Sequence, residues 1–227
     1  MTIDSRLGCS TISFRRWPLP AALAEIKSQG FGETDLGSLP GVCDHVPIPL
    51  PARAVGTSTI MLPCGRQGTE PRTELSRDIE TVARTLIAAA DVLSAAGLNL
   101  LVEAPHSRRL CANVERSVML YDALGDAPVG AVLDFSHVVA SGDDEVDAVR
   151  RLDGRIGHVH FRDAVLGDIN LSIGRGKVNF PAAIDALTTS GYQGHYSLEL
   201  ETHDISDAER PAEAGRAGRY ITSLLQR

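Results

Sequence analysis

Short apolar runs alternate with helix-like stretches along most of the chain, and this alternation limits the possible folds more than any other feature. The clearest runs are LNLLVEAP, VGAVLDFSH, RIGHVHF and GHYSLELE. They do not alternate polar with apolar residues, which is typical of parallel strands covered by helices on both faces. The stretches between them include residues 74–96, where apolar side chains recur every three or four positions as in an amphipathic helix.

The number of strands favours a barrel. Seven strands are clear, among them FGETDLG, and a doubtful eighth lies at 46–48 within the Pro- and Gly-rich residues 37–56. The chain has 227 residues, and a (β/α)8 barrel needs roughly 200–250. The sequence therefore predicts an α/β fold, a compact (β/α)8 TIM barrel abbreviated around the third β/α unit, as a single domain over residues 1–227. A doubly wound sheet is the alternative, but the segment after the first strand, CSTISFRRWP, lacks its glycine-rich phosphate loop.

Composition excludes several classes of protein. The net charge is −7, basic residues do not cluster, and only 4% of residues are aromatic, which argues against a nucleic-acid partner. No apolar run approaches the roughly 18 residues of a membrane span, so we expect no membrane partner. The four cysteines are far apart, and the first residues, MTIDSRLGCS, do not read as a secretory leader. We therefore expect reduced thiols and a cytoplasmic protein.

Four consecutive predicted strands end in an ionisable side chain: Glu103, Asp134, His160 and Glu199. In an α/β barrel the carboxyl ends of the strands form the active-site face, so these side chains are expected to converge. Two glutamates, one aspartate and one histidine suit one divalent cation; the oxygen-rich set favours Mn or Mg, and the imidazole also permits Co or Zn. Charged strand ends that pair with arginine are the alternative, and Glu201 competes with Glu199 for the fourth position.

Other polar residues are expected near these strand ends. His106 and His137 each follow a candidate ligand by three residues, and Arg162 follows His160 by two. His158 shares a strand face with His160 and is expected to be a buried, hydrogen-bonded core histidine.

Two loop segments leave their roles open. Asp44 and His45 in CDHVPIP either contact a substrate or only shape the loop. In GRGKVNF, residues 174–180, two glycines precede a helix; they either bind an anion through backbone N–H groups, helped by Arg175 and Lys177, or form a plain turn.

Several of these stretches resemble one known family. LLVEAPH, VLDFSH, HVHFRD, GRGKVNFPAAIDAL and SGYQGHYSLELE are similar to the xylose isomerase-like TIM-barrel superfamily, the sugar phosphate isomerase/epimerase group. The resemblance is clear over residues 97–202 and weaker before them. It implies that Glu103, Asp134, His160 and Glu199 bind one metal ion, with manganese the first choice.

The resemblance also implies a mechanism. Glu103 and Glu199 would be the catalytic acid–base pair, one removing a proton next to a carbonyl and the other returning it, while the metal polarises that carbonyl and stabilises the enediolate. The expected substrate-binding residues are His137, His106, Arg162 and His45.

The expected function is therefore a metal-dependent isomerase or epimerase of a sugar or sugar-like hydroxy-carbonyl compound. A metal-dependent lyase or dehydratase of a keto-sugar or cyclitol is the first alternative, and a non-catalytic barrel that binds a sugar or supports a partner enzyme is the second. The short 37–56 region implies an open pocket or one completed by another copy in a homo-oligomer. Three departures from the family stand out: this shortening, Arg175 where an acidic residue is common, and Asp35 where glutamate is common.

Overall fold

A computed structural model describes residues 2–39, 41–46 and 56–227. Its strands are β1 (Leu7–Cys9), β2 (Thr59–Pro63), β3 (Asn99–Glu103), β4 (Val129–Asp134), β5 (Ile156–Phe161), β6 (Asp163–Val165), β7 (Asp168–Leu171) and β8 (His195–Leu198). Six of them form one parallel sheet in the order β1-β8-β5-β4-β3-β2. The remaining two, β6 and β7, form an antiparallel hairpin directly after β5, which the sequence reading did not separate from the loop.

Helices connect the parallel strands. They are α1 (Leu19–Ser28), α2 (Leu75–Ala95), α3 (Val114–Leu124), α4 (Phe135–Ala140), α5 (Glu145–Arg151), α6 (Phe180–Thr189) and α7 (Arg210–Leu225), with a short 3₁₀ helix at Thr11–Phe14. Asn179 caps α6, because its side chain accepts a hydrogen bond from the backbone of Ala182. The last helix begins after Glu209, whose carboxylate accepts hydrogen bonds from Ser206.

The predicted second strand, residues 31–37, is an extended segment beside β1 rather than a regular strand. The backbone N–H groups of Cys9 and Thr11 donate to the carbonyls of Glu33 and Asp35, at 3.2 and 2.9 Å. The hydroxyl of Thr34, however, bonds to the Cys9 carbonyl at 2.8 Å, so a side chain occupies the acceptor that a strand ladder would use. The segment therefore continues the sheet only loosely.

The third unit of the barrel is described only in part. The doubtful strand at 46–48 falls mainly on residues 47–55, which lie outside the described residues, so the predicted abbreviation stays a prediction. The six parallel strands and their connecting helices have the α/β organisation of a TIM barrel.

The core lies between the sheet and the helices. One face of α2 is buried through Ile79, Ala83, Leu86 and Ala90, as its periodicity predicted. At the centre, the Phe161 ring stacks on Tyr196 at 5.4 Å and on Phe135 at 6.1 Å. Among the described residues, no helix combines the length and the apolar character that a membrane crossing needs.

The change from β4 to α4 positions one of the candidate ligands. The run VGAVLDFSH reads as one strand, but the strand ends at Asp134 and α4 begins at Phe135. One carboxylate oxygen of Asp134 accepts the backbone N–H of Ser136 at 2.7 Å and caps the helix. The other oxygen accepts a hydrogen bond from the guanidinium of Arg162.

Candidate metal centre

Four strand-end side chains meet at the carboxyl edge of the sheet, as the sequence predicted. Glu103 ends β3, Asp134 ends β4, His160 lies near the end of β5, and Glu199 follows β8. These are four adjacent positions in the sheet. One donor atom from each residue lies within 4.8 Å of the donor atoms of the other three. The strands therefore bring together a four-residue group that could hold one metal ion.

The imidazole of His160 is the centre of this group. Its Nδ1 lies 3.7 Å from a carboxylate oxygen of Glu103 and 3.7 Å from one of Glu199. The ring is buried, and neither of its nitrogens has a hydrogen-bond partner among the described residues. Burial alone would lower the pKa of His160, but the carboxylates of Glu199, Asp35 and Glu103 raise that pKa well above its ordinary value. The site therefore favours a positive charge between the two glutamates.

The two glutamates differ in their affinity for a proton. Burial raises the pKa of Glu199 to about 7, although Arg162 and His160 lower it. Burial would also raise the pKa of Glu103. The attraction of His160, His137 and His106 outweighs that effect, so the pKa of Glu103 lies well below its usual range. Two carboxyl groups whose pKa values are driven apart can act as a proton donor and a proton acceptor at the same pH.

Arg162 supplies the fixed positive charge of the site. Its side chain is 2% exposed and pairs with Asp134 and, at 3.0 Å, with Glu199. The guanidinium is oriented from behind by the Ser136 hydroxyl at 3.0 Å and the Asn170 side chain at 3.2 Å. A divalent cation fits this donor set, which combines three carboxylates with an imidazole nitrogen that lacks a partner.

His106 and His137 both lie against Glu103. Their rings stack at 3.9 Å, and their Nε2 atoms are 3.6 and 3.8 Å from the two Glu103 oxygens. The backbone N–H of Ser107 donates to Nδ1 of His137 at 3.2 Å, and this shorter contact makes Nδ1 the acceptor and assigns the hydrogen to Nε2, although the Arg162 guanidinium lies 3.4 Å from Nε2. Burial lowers the pKa of His137 to about 3, so its imidazole is neutral at pH 7. His137 therefore presents an N–H donor toward the four-residue group.

Glu201, the competing candidate for the fourth position, has different partners. Its carboxylate pairs with Arg15 and lies 3.5 Å from Arg162, and it is not part of the four-residue group. Arg15 was not expected near the site. It lies directly after the 3₁₀ helix that follows β1. Because it does not stand at a strand end, the pattern of strand ends does not reveal it.

The two open loop residues of CDHVPIP lie in the described part of the chain. His45 bonds to the Trp17 carbonyl at 2.8 Å, and within residues 2–39, 41–46 and 56–227 it forms no hydrogen bond or ion pair with the four-residue group. Asp44 accepts the backbone N–H of Gly41 at 3.3 Å and so shapes its own loop. A substrate contact by His45 stays a prediction.

The glycine turn of GRGKVNF binds the carboxylate of Asp163, a residue of the same chain. The carboxylate of Asp163 accepts the backbone N–H groups of Gly174 at 2.7 Å, Gly176 at 2.9 Å and Val178 at 3.1 Å. The turn therefore binds a carboxylate through backbone N–H groups, and the ligand is internal. Arg175 points elsewhere and pairs with Asp204 at 3.3 Å.

Comparison with known proteins gives the family. Residues 51–224 match the family model described as xylose isomerase-like TIM barrel. An uncharacterized protein of Mycobacterium tuberculosis is 32% identical over 110 residues, which are 47% of this chain and 39% of that protein. The L-ribulose 3-epimerase of Mesorhizobium japonicum is 28% identical over 138 residues, 60% of this chain and 44% of the enzyme. The chain thus spans less than half of the length of these relatives.

Solved structures share the fold at lower identity. A structure of L-ribulose 3-epimerase superposes with a TM-score of 0.80 at 19% identity, covering 98% of this chain and 95% of that one. The D-allulose 3-epimerase of Methylomonas sp. in complex with D-allulose gives 0.77 at 16%, covering 98% and 99%. The IOLI protein with a bound zinc atom gives 0.74 at 16%, covering 96% and 98%. With the family model matching most of its length, the chain belongs to the xylose isomerase-like TIM-barrel family.

Proposed function

We propose that the protein is a divalent-metal-dependent isomerase or epimerase of a sugar or sugar-like hydroxy-carbonyl compound. Glu103, Asp134, His160 and Glu199 would hold one ion, with manganese the first choice and magnesium, cobalt and zinc the others. The bound ion would supply a Lewis acid that polarises the substrate carbonyl. The sugar epimerases among the similar proteins support the substrate class.

One observation carries the proposal. Carboxylate oxygens of Glu103 and Glu199 lie at the same distance, 3.7 Å, from a buried imidazole nitrogen that has no partner within the described residues. The two glutamates come from β3 and the end of β8, with two strands between them in the sheet. They therefore approach a common point from different directions, as two groups must if one removes a proton and the other returns it.

The two glutamates would transfer the proton, and the residues around them would bind and orient the substrate. One of Glu103 and Glu199 would take the proton from the carbon next to the carbonyl, and the other would return a proton from the opposite side. His137 offers its Nε2–H to a substrate oxygen. Arg162 holds Asp134 and Glu199 in place through its ion pairs.

Solvent exchange tests the proposal. The metal-loaded protein is incubated with ketopentoses and ketohexoses in deuterated water, and label at the carbon next to the carbonyl is followed by NMR. We expect label together with an epimeric or isomeric sugar, and a loss of roughly 10²–10⁴-fold in Glu103→Gln and Glu199→Gln. Glu115→Gln is the matched control, because Glu115 is an exposed residue of α3 that pairs with Arg151; it should exchange like the wild type.

The same assay separates the alternatives. A dehydratase would release a product lighter by one water, which mass spectrometry detects; a probable dehydratase is among the structures that share the fold, at a TM-score of 0.70. If no tested sugar exchanges deuterium with any added metal, and no product lighter by one water forms, the result would contradict the enzymatic proposal and favour a sugar-binding barrel.

A further inference from the structure

We propose that Asp35 is a positioning residue for His160, accepting a hydrogen bond from its Nε2–H so that the lone pair of Nδ1 faces Glu103 and Glu199. The inference deepens the proposed function and rests on it, because it concerns how the metal site is prepared for its ion. Asp35 was noted in the sequence only as a departure from the family.

The geometry brings Asp35 to the side of His160 that lies away from the glutamates. Its Oδ2 lies 3.4 Å from Nε2 of His160, at the long end of hydrogen-bonding distance, whereas Nδ1 on the other side of the ring faces the glutamates. Within the described residues Nε2 forms no hydrogen bond in this structure, so the Asp35 carboxylate is an acceptor at 3.4 Å that the proposed bond would engage. Asp35 belongs to the extended segment 31–37, with β1 and β8 between that segment and β5 in the sheet order. Its carboxylate therefore reaches His160 across the barrel interior.

The choice of tautomer is what this contact controls. A neutral imidazole carries one hydrogen. If that hydrogen were on Nδ1, it would point at two carboxylates, an attractive arrangement that blocks a metal ion from binding there. A carboxylate acceptor at Nε2 favours the other tautomer and leaves Nδ1 free as a ligand, which is the arrangement that carboxylates impose on metal-binding histidines.

His158 holds the positioning carboxylate. Its Nε2 lies 3.3 Å from the same Oδ2 of Asp35, and its ring meets His160 edge-to-face at 5.1 Å. The Nε2 atoms of two imidazoles thus lie within 3.4 Å of one carboxylate oxygen. Since side chains two apart on a strand share a face, the His-x-His spacing on β5 creates this arrangement. His158 is hydrogen-bonded as expected, but it is only partly buried and contacts Asp35 rather than lying within the core.

Metal affinity and tautomer test the proposal. Asp35→Asn and Asp35→Glu are compared with the wild type by titration of Co²⁺ against a competing chelator, with the metal content counted by mass spectrometry. We expect one ion per chain in the wild type, affinity lowered roughly 10–100-fold in Asp35→Asn, and recovery of most of the affinity in Asp35→Glu. Asp185→Asn, an exposed residue on α6, is the matched control and should leave affinity unchanged.

A second measurement does not depend on any variant. Nitrogen-15 NMR of the Zn²⁺-loaded wild type, in which a metal-bound imidazole is neutral, reports which ring nitrogen of His160 carries the hydrogen. We expect the hydrogen on Nε2, facing Asp35. A hydrogen on Nδ1 in the wild type would overturn the proposal.

The outcomes separate this inference from the proposed function. If the wild type binds no divalent ion, the proposed function fails. If it binds one ion and Asp35→Asn binds equally well, only the role of Asp35 fails. Binding of two ions, with one lost in Asp35→Asn, would make Asp35, His158 and His160 a second metal site and would also overturn the positioning role.

Discussion

Glu199 and Glu201 lie two residues apart after β8, yet their partners give them different roles. Glu199 contacts Arg162 at 3.0 Å and His160 at 3.7 Å, whereas Glu201 pairs with Arg15. We expect Glu199→Gln to lose metal binding, because it removes a charged oxygen donor from the four-residue group. Glu201→Gln should retain it. Metal content after dialysis, measured on both variants side by side, checks the difference.

The contrast between the two glutamates is itself the control. Both substitutions remove one negative charge near Arg162, so a general electrostatic effect would act on both variants. Equal metal loss in the two variants would show that choosing Glu199 over Glu201 as the metal ligand is wrong. Strand alternation could not choose between them, because both side chains lie on the same face; the choice depends on Arg15, which only the folded chain brings to Glu201.

The turn between β7 and α6 is built around the Asp163 carboxylate, and Gly176 makes this possible. A Cβ on Gly176 would lie 2.1 Å from a carboxylate oxygen of Asp163 and 2.4 Å from the backbone carbonyl of Ala164. We expect Gly176→Ala to lower the free energy of unfolding by about 1–3 kcal/mol, the range for forcing extra atoms into a packed site. Urea unfolding followed by circular dichroism measures it.

Gly32→Ala is the matched control for that substitution. A Cβ at Gly32 meets nothing within 4 Å, and its φ is not in the left-handed region. We expect this variant to be as stable as the wild type or up to about 1 kcal/mol more stable, because alanine reduces the entropy of the unfolded chain. Two variants of equal stability would mean that the turn can move away from Asp163 at little cost.

These elements show what the sequence could predict and where it could not. The convergence of Glu103, Asp134 and His160 follows from apolar strands that end in polar residues, because parallel strands bring their carboxyl ends to one edge. Helix α4 escaped prediction because its six residues continue an apolar run and are too short to display a helical period.

Contacts between distant segments were also invisible in the sequence. The sequence leaves the GRGKVNF turn open between an anion site and a plain turn, since local sequence reveals the N–H donors but not Asp163, the acceptor that the tertiary structure brings to them. Asp35 reaches His160 only because segment 31–37 runs beside β1. Such pairs depend on strand order, which no local pattern encodes.

At the scale of the whole molecule, the proposed metal site would cost stability while it is empty. The chain has a net charge of −7, and three carboxylates of the four-residue group are held near one another with Arg162 as their buried cationic partner. Burial raises the pKa of Glu199 to about 7, so the fold disfavours the charged form of this carboxylate. A cation bound beside Glu199 would favour the charged form, so metal binding and folding would be coupled.

Added metal should therefore raise the melting temperature. An ion at about 100 times its dissociation constant adds about 2.7 kcal/mol to the folded state, and a chain of this size gains about 2–4 °C for each kcal/mol. We expect Tm to rise by about 5–10 °C with Mn²⁺ or Zn²⁺ and to return after chelation, measured by differential scanning fluorimetry. Glu103→Gln should lose most of the rise, while Glu115→Gln on the exposed face of α3 keeps it. An equal rise in both variants would locate the ion outside the four-residue group, and no rise in the wild type would contradict a metal site there.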